Sequence, residues 1–354
     1  MIRLAIIGTG GMANAHAKGF KGAGGAELVA CCDIDAKRAE SFAAQHGFAR
    51  AYGDAGEMLA AEKLDAVSIV TPNRSHCELS LAALKRRLHV MCEKPLAMNA
   101  AEARRMFRAA RQAGAVTMVN FSYRQSAALE KARDLVQAGE LGRLTHVEAS
   151  YLQSWLCAKG WGDWRKKPAL LWRLNRAAGG SGTLGDLGCH ILDFASRVAG
   201  DITELSCKLA RFDKGVPGER LGGYKLDADD SVFVTARFAS GAVGTIHTTR
   251  WAPGHNNSLR LRVYGDQGAV DIDLDRSYET LRVCLGEVGR DHAAWTELKL
   301  AARESNMARF LRAVRDGKPE SPTFEDGFKI QACLDACLQS DRTGRTVAIA
   351  KRRP

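Results

Sequence analysis

The sequence predicts two domains of different class: a doubly wound α/β domain, then an α+β domain with a large, mainly antiparallel open sheet. Three observations carry that prediction. From Arg3 to Asn120, short apolar runs alternate with stretches of helical periodicity, the pattern of parallel strands joined by crossover helices. From Leu144 onward the apolar runs lengthen and alternate with polar residues, as half-buried antiparallel strands do. The chain also has 354 residues, more than one hydrophobic core usually organises.

Composition narrows the class further. Hydrophobic residues make up 46% and charged residues 26%, ordinary globular values, and no apolar run nears the roughly 20 residues of a membrane-spanning helix. Met1 to Gly8 reads as a buried first strand running into a glycine turn. It is too short for a signal peptide, so a cytoplasmic protein is expected. The ten cysteines are scattered, several inside apolar runs (Cys31, Cys32, Cys92, Cys207, Cys284), and Cys333 and Cys337 lack CxxC spacing. Cysteines used as small hydrophobes suit a reducing compartment, and no metal site is expected. The net charge of +11 is spread through the chain without a basic run interleaved with aromatics. An anionic cofactor and a solvated basic exterior account for it, so neither nucleic acid nor membrane is expected as a partner.

Each element of the first domain follows from its residues. The strand Arg3–Ile7 leads at once into Gly8-Thr9-Gly10-Gly11-Met12-Ala13. Gly8 permits the tight turn, Gly10 lets the backbone approach a pyrophosphate, and Ala13 still allows a helix to pack closely on the strand. The helix this turn opens, Ala13–Lys21, presents free N–H groups to phosphates. A second strand, Glu27–Cys32, ends in Asp33, with Ile34 beside it. A carboxylate there accepts hydrogen bonds from a ribose diol and repels a 2′-phosphate, so NAD is expected over NADP. Lys37 and Arg38 lie close enough to blur that preference, and Asp33 or Asp35 could instead cap the helix Ala36–His46.

The rhythm continues through the strand Ala66–Val70, the helix Cys77–Arg86, the strand His89–Cys92, the helix Ala100–Ala113 and the strand Val116–Asn120. The segment Met91-Cys92-Glu93-Lys94-Pro95 ends its strand in a sharp turn, because proline lacks a donor and pushes the residue before it toward extended backbone. That aims Lys94 out of the carboxyl edge of the sheet, where such sheets bind ligands. His76 on its own reads as a residue that caps or packs its own helix.

In order along the chain, Gly8–Ala13, Thr71-Pro72-Asn73 with His76, Glu93-Lys94-Pro95, and Asn120 with Tyr123-Arg124 resemble the motifs of a known family. It is the glucose–fructose oxidoreductase/inositol dehydrogenase family of two-domain NAD(P)-dependent sugar and polyol dehydrogenases. The resemblance implies a dinucleotide-binding Rossmann domain over residues 1–124. In it Gly8, Thr9, Gly10, Gly11 and Met12 hold the pyrophosphate turn, and Asp33 and Ile34 the adenosine ribose. Thr71, Pro72, Asn73, His76 and Asn120 lie along the dinucleotide. Glu93 and Lys94 lie beside the nicotinamide ribose, and Lys94 also reaches the reacting hydroxyl.

Beyond the amphipathic link helix Ser126–Gly139, eight segments alternate: Leu144–Leu152, Ile202–Phe212, Ser231–Phe238, Ala242–Arg250, Ser258–Tyr264, Ala269–Leu274, Glu279–Leu285 and Thr296–Leu300. Asp266-Gln267-Gly268 gives a hairpin turn. Residues 125–303 therefore read as a substrate-binding α+β domain. The resemblance implies helices on one sheet face and, on the other, contacts of a homodimer or homotetramer. Helices near Ser305–Arg315 and Phe324–Ser340, within residues 304–354, are expected to pack back on the rest.

One helix interrupts the alternation. After Gly179-Gly180-Ser181-Gly182, the segment Thr183–Ala199 places Leu184, Leu187, Ile191, Phe194 and Val198 on a core face. Asp186, His190 and Asp193 share another face. The string Trp172-Arg173…Gly179-Gly180…Asp186-x-Gly188-x-His190-x-x-Asp193 is similar to the family's second signature, although Gly180-Ser181-Gly182 replaces its unbroken glycine triplet. The resemblance implies that Lys94, Asp186 and His190 act together on the substrate over one nicotinamide face. It brings Trp172 and Arg173 to the cofactor and Tyr123 and Arg124 to the substrate. Residues 151–173 hold four of the six tryptophans, of which Trp164, with Arg165 beside it, is a candidate wall and hydroxyl partner for a sugar. The same aromatics could pack a long loop against the sheet.

Hydride transfer from a secondary alcohol needs a group to take the hydroxyl proton, and an imidazole exchanges protons near neutral pH, so His190 is the expected base. Asp186 is expected to bind a neighbouring hydroxyl and to raise the histidine's proton affinity, while Lys94 stabilises alkoxide character. Two alternatives stay open on sequence alone. One is an NAD-dependent glycosidase working through a transient keto-sugar. The other is a cofactor-binding regulator without turnover.

Overall fold

The computed structural model describes residues 1–177 and 181–349, Ala169 by its backbone alone. The chain divides into two compact units, Met1–Ser122 with Glu304–Gln331, and Tyr123–Arg303 with the segment from Ala332 on.

In the first unit the strands β1 (Ile2–Ile7), β2 (Ala26–Cys32), β3 (Arg50–Tyr52), β4 (Ala66–Ile69), β5 (His89–Cys92) and β6 (Thr117–Val119) form one sheet ordered β3-β2-β1-β4-β5-β6. All its pairings are parallel. The helices α1 (Gly11–Ala23), α2 (Ala36–His46), α3 (Ala55–Ala61), α4 (His76–Lys85) and α5 (Ala100–Ala113) connect the strands. Leu4, Ile6, Val67, Ile69, Val90 and Met91 are fully buried, as expected of strands covered on both faces. The strand order reverses between β1 and β4, so the loops after those two strands open at the switch point, where doubly wound sheets bind ligands. Three of these helices begin where side chains cap them: Asp35 accepts from the Arg38 N–H, Asp54 from the Glu57 N–H and Asn99 from the Glu102 N–H. β3 and α3 escaped the sequence reading, because three residues and seven residues are too short to show a period.

In the second unit α6 (Ala127–Gln137) precedes β7 (Leu144–Leu152), and a stretch of short turns including α7 (Pro168–Leu171) leads to α8 (Cys189–Ala199). There follow β8 (Ile202–Ala210), the small hairpin β9 (Arg220–Leu221) and β10 (Tyr224–Lys225), then β11 (Ser231–Phe238) and β12 (Val243–Thr249). β13 (Ser258–Gly265), β14 (Gly268–Asp273), β15 (Thr280–Leu285), α9 (Gly286–His292) and β16 (Thr296–Lys299) complete the run. Past them lie α10 (Asn306–Asp316), α11 (Phe324–Thr343) and β17 (Val347–Ala348). The large sheet runs β16-β15-β14-β13-β7-β12-β11-β8-β17, antiparallel throughout except for the parallel pair β7–β12. β11 shows why alternation predicts it: Val232, Val234, Ala236 and Phe238 are buried, and Phe233, Thr235 and Arg237 are exposed. α6 and α8 pack on each other and on the buried face.

The chain after residue 303 divides between the units. α10 packs against α1 in the first unit. α11 begins there and continues into the second unit, where β17 pairs with β8. Among the described residues no helix is long and apolar enough to cross a membrane.

One element departs from its expected form. The segment Thr183–Ala199 opens with a π-helical turn, Leu184–Gly188, before α8. Asp229 fixes that start: its carbonyl accepts from the Thr183 N–H at 3.0 Å and its carboxylate from the Leu184 N–H at 2.8 Å. Gly185 and Gly188, poor helix formers, offer little resistance to the wider winding.

Candidate active site

The first unit builds a cradle from the β1–α1 turn. Gly8 has φ 92°, and a Cβ there would stand 2.7 Å from the Val70 carbonyl oxygen. The turn therefore requires glycine, and Gly8→Ala is expected to destabilise the protein by about 2–3 kcal/mol. Urea unfolding measures this, and an unchanged midpoint would contradict it. Among the described residues, an added Cβ at Gly10 or Gly11 would meet nothing within 4 Å, and no side chain caps the N-terminus of α1. Open space over uncapped N–H groups fits a dinucleotide pyrophosphate.

Asp33 ends β2 in a dense set of donors. One oxygen accepts from the Thr9 N–H at 2.8 Å and the Thr9 hydroxyl at 2.9 Å, and the other from the Asp35 N–H at 3.0 Å. The Arg38 guanidinium bonds to both. Burial works against the charge, but Arg38 and the two N–H groups outweigh it and hold the carboxyl at about 2. The capping alternative goes to Asp35. Ile34 and Met12 are exposed beside this turn, 92% and 51% respectively.

The loops after β4 and β5 are tied together by His76. It is fully buried, with one ring nitrogen 3.0 Å from the Pro95 carbonyl and the other 2.9 Å from the Thr71 carbonyl. Both nitrogens face the backbone, so His76 braces the Thr71-Pro72-Asn73 and Lys94-Pro95 loops. Burial pushes its proton affinity down. A neutral ring can donate to only one of the two carbonyls.

Glu93 turns inward. Its Oε1 meets His16 Nε2 at 2.8 Å and Asn120 Nδ2 at 2.7 Å, and its Oε2 accepts the Lys94 N–H at 3.1 Å. His16 Nδ1 in turn lies 2.8 Å from the Ser68 hydroxyl, and Asn306 of α10 donates to Asn120. This network orients the backbone that carries the half-buried Lys94. The sequence reading passed over His16, although a signal existed: it lies on the buried stripe of α1 with Ala13, Ala17 and Phe20, where a polar ring needs a partner.

Burial opposes the Glu93 charge, yet the His16 hydrogen bond, the charges of His16 and Lys94 and the Asn120 amide hold it at about 2 against an ordinary 4.5. A depressed carboxyl stabilises the fold above its unfolded value and loses that contribution as pH falls toward its folded one. Wild type is therefore expected to exceed Glu93→Gln by roughly 3 kcal/mol near neutrality. The gap should close between about pH 4.5 and 2. Denaturant titrations across that window check it, and a pH-independent gap would contradict it.

The second unit brings Asp186, His190, Tyr123 and Arg173 into one neighbourhood. His190 is buried, its ring 4.8 Å from Tyr123 at 76° and 6.2 Å from Tyr151 at 62°, edge-to-face contacts that hold an imidazole in place. The two tyrosine hydroxyls are 2.7 Å apart, and Asn257 binds both, at 2.6 Å and 2.8 Å. Gln153 and Trp155 extend the chain of hydrogen bonds. Burial, then Tyr123, then the Asp186 charge keep the Tyr151 phenol well above its ordinary proton affinity.

Asp186 has two cationic partners that the sequence reading did not include. Its Oδ2 accepts from Arg250 Nη2 at 2.8 Å and from Arg173 Nη1 at 3.2 Å, so two guanidinium groups compensate the charge expected to act on His190. Arg124, expected at the substrate, makes a buried bidentate pair with Asp193 at 2.7 Å and 2.6 Å. Trp164 is buried in a small core with Trp155, Leu156, Leu170, Leu171 and Leu174, and Arg165 lies over its ring at 4.7 Å. The loop-packing reading describes these two residues. Trp172 is half-buried under Arg173, at 4.9 Å. Gly179 and Gly180 lie outside the described residues. Tyr151, Asn257 and Arg250 went unread as site residues, though Arg250 continues the buried parity of Gly244, Ile246 and Thr248, where a charge is conspicuous.

Residues 2–121 match the sequence family described as an oxidoreductase family with an NAD-binding Rossmann fold, and residues 129–271 match the GFO/IDH/MocA C-terminal domain. A D-glucoside 3-dehydrogenase of Escherichia coli is 31% identical over 98% of this chain and 97% of its own. A levoglucosan dehydrogenase of Pseudarthrobacter phenanthrenivorans is 28% identical over 84% of this chain and 83% of its own. Among solved structures, a levoglucosan dehydrogenase in complex with NADH and levoglucosan superposes with a TM-score of 0.88 at 25% identity, covering 99% of this chain and 100% of that one.

Proposed function

The chain belongs to the GFO/IDH/MocA oxidoreductase family, and from that premise we propose that it oxidises a secondary hydroxyl of a cyclic sugar, polyol or glycoside with NAD as hydride acceptor. The observation that carries this reading is His190, buried against the edges of Tyr123 and Tyr151 on the turn that bears Asp186. When bound, the nicotinamide supplies the acceptor for hydride. The turn Gly8 to Met12 and the first N–H groups of α1 hold the pyrophosphate. Asp33 accepts from the ribose diol with Ile34 beside it, and Thr71, Pro72, Asn73 and Asn120 continue the cradle. His76 and Glu93 position these loops.

In the reaction, Lys94 stabilises alkoxide character as the substrate proton leaves. His190 takes that proton at Nε2, since Nδ1 is buried. Asp186, held by its arginines, accepts from a neighbouring hydroxyl and orients the ring, with Tyr123 beside it. Incubated with NAD and a panel of cyclic polyols, aldoses and glycosides, the protein is expected to accumulate NADH with at least one. Absence of turnover across the panel would overturn the proposal.

Three finer readings accompany it. The ionised Asp33 disfavours a 2′-phosphate, so kcat/KM with NAD is expected to exceed that with NADP by about tenfold or more, and Asp33→Asn to narrow the ratio. A wild-type preference for NADP would contradict this. Arg38, whose side chain is 50% exposed, keeps the preference finite. The sheet face bearing Phe233, stacked on His247, together with His146 and Thr245, is the proposed contact of a homodimer or homotetramer, and light scattering tests it. Ten free cysteines, nine of them buried, support a cytoplasmic setting.

A further inference from the structure

Arg250 follows the last residue of β12 and is wholly buried. Its guanidinium stacks on Trp155, 4.9 Å from the ring centroid, and donates through Nη2 to Asp186 at 2.8 Å and to the Gly182 carbonyl at 3.4 Å. Its Nε and Nη1 have no hydrogen-bond partner among the described residues. A cation taken out of water is costly unless an anion compensates it. Asp186 does so by contact, and Asp229 lies near enough for the Arg250 charge to act on it.

We infer that Arg250 is a positioning residue of the active site, which fixes the Asp186 carboxylate and screens its charge from His190. The inference rests on the proposed role of His190 as proton acceptor. Against the His190 ring lie Tyr123 and Tyr151 of β7, and its own segment carries Cys189, Asp186 and Asp193; α6, which packs on α8, carries Glu130. Asp193 is neutralised by Arg124, and Glu130 by Arg197 and Arg303. Around Asp186 stand Arg173, Arg250 and Tyr151. Arg173 is 32% exposed and so solvent-screened, whereas Arg250 acts at full strength from the interior. Losing Arg250 leaves Asp186 undercompensated one turn from the histidine, which favours the imidazolium.

The test is the pH dependence of kcat/KM, whose acid limb reports the base in the free enzyme. It is read in His190→Asn, Arg250→Met, Asp186→Asn and the Asp186→Asn/Arg250→Met double variant, with circular dichroism and NADH binding as checks of folding. The acid limb is expected to vanish in His190→Asn, to move up by about one pH unit in Arg250→Met, and to move down in Asp186→Asn. In the double variant it returns toward the wild-type position, since the negative and the positive charge are removed together and their opposite effects on the imidazole cancel. An acid limb that persists in His190→Asn would overturn the base assignment and this inference with it. A limb lost in His190→Asn but identical in wild type and Arg250→Met would overturn the inference alone. Should Arg250→Met fail to fold, a higher limb in the double variant than in Asp186→Asn supports the inference, and a shared limb refutes it.

Discussion

Asparagine in place of His190 is expected to lower kcat for sugar or polyol oxidation by about 10² to 10⁴, the usual worth of a positioned acid–base group. Asparagine keeps a polar planar side chain in the site but cannot exchange a proton near neutrality. The ring it replaces is packed edge-on by Tyr123 and Tyr151, whose hydroxyls are fixed by Asn257, so the pocket keeps its walls. The groups proposed to hold the dinucleotide stand on the β1–α1 turn, the end of β2 and the segments after β4, β5 and β6. These groups belong to the first unit and His190 to the second, so NAD affinity should stay within about twofold. Stopped-flow turnover with an NADH fluorescence titration separates the two effects. Unimpaired turnover would remove His190 from the chemistry.

Lys94→Met is expected to cost about 10² to 10³ in kcat, the loss measured when one preorganised donor to a developing oxyanion is removed. The loop geometry survives the change, because it is Glu93 that anchors this segment, through His16, Asn120 and the Lys94 N–H itself. Methionine keeps the length and apolar stem of lysine and removes the charge together with its N–H donors. Arginine should rescue poorly, since a planar fork does not replace a compact ammonium. A variant with wild-type kcat would show that Lys94 bears no charge-stabilising role.

Local pattern made much of this molecule legible. Ala36–His46, His89–Cys92, Ala100–Ala113, Leu144–Leu152 and Ser231–Phe238 have the bounds their periodicity predicts, because caps and alternation are properties of adjacent residues. What stayed hidden is held by distant partners. The π turn at Leu184 depends on Asp229, the orientation of Glu93 on His16, and the charge state around Asp186 on Arg250. Asp33 shows the boundary between the two: sequence left ribose contact and capping open, and the hydrogen bonds give the cap to Asp35. The tryptophan-rich stretch was ambiguous for a related reason, since an aromatic residue reads alike in a binding wall and in a small core such as the one around Trp164.

The most direct test of the account follows a deuterium label. A cyclic polyol or glycoside turned over by the protein is prepared with deuterium on the oxidised ring carbon and incubated with NAD. Free deuterated NADH is expected to accumulate in equal amount with a ring ketone, and to do so at least about a hundredfold more slowly in His190→Asn. Cleavage of a glycosidic bond with no net change in the cofactor, or label that never reaches the nicotinamide, would contradict it.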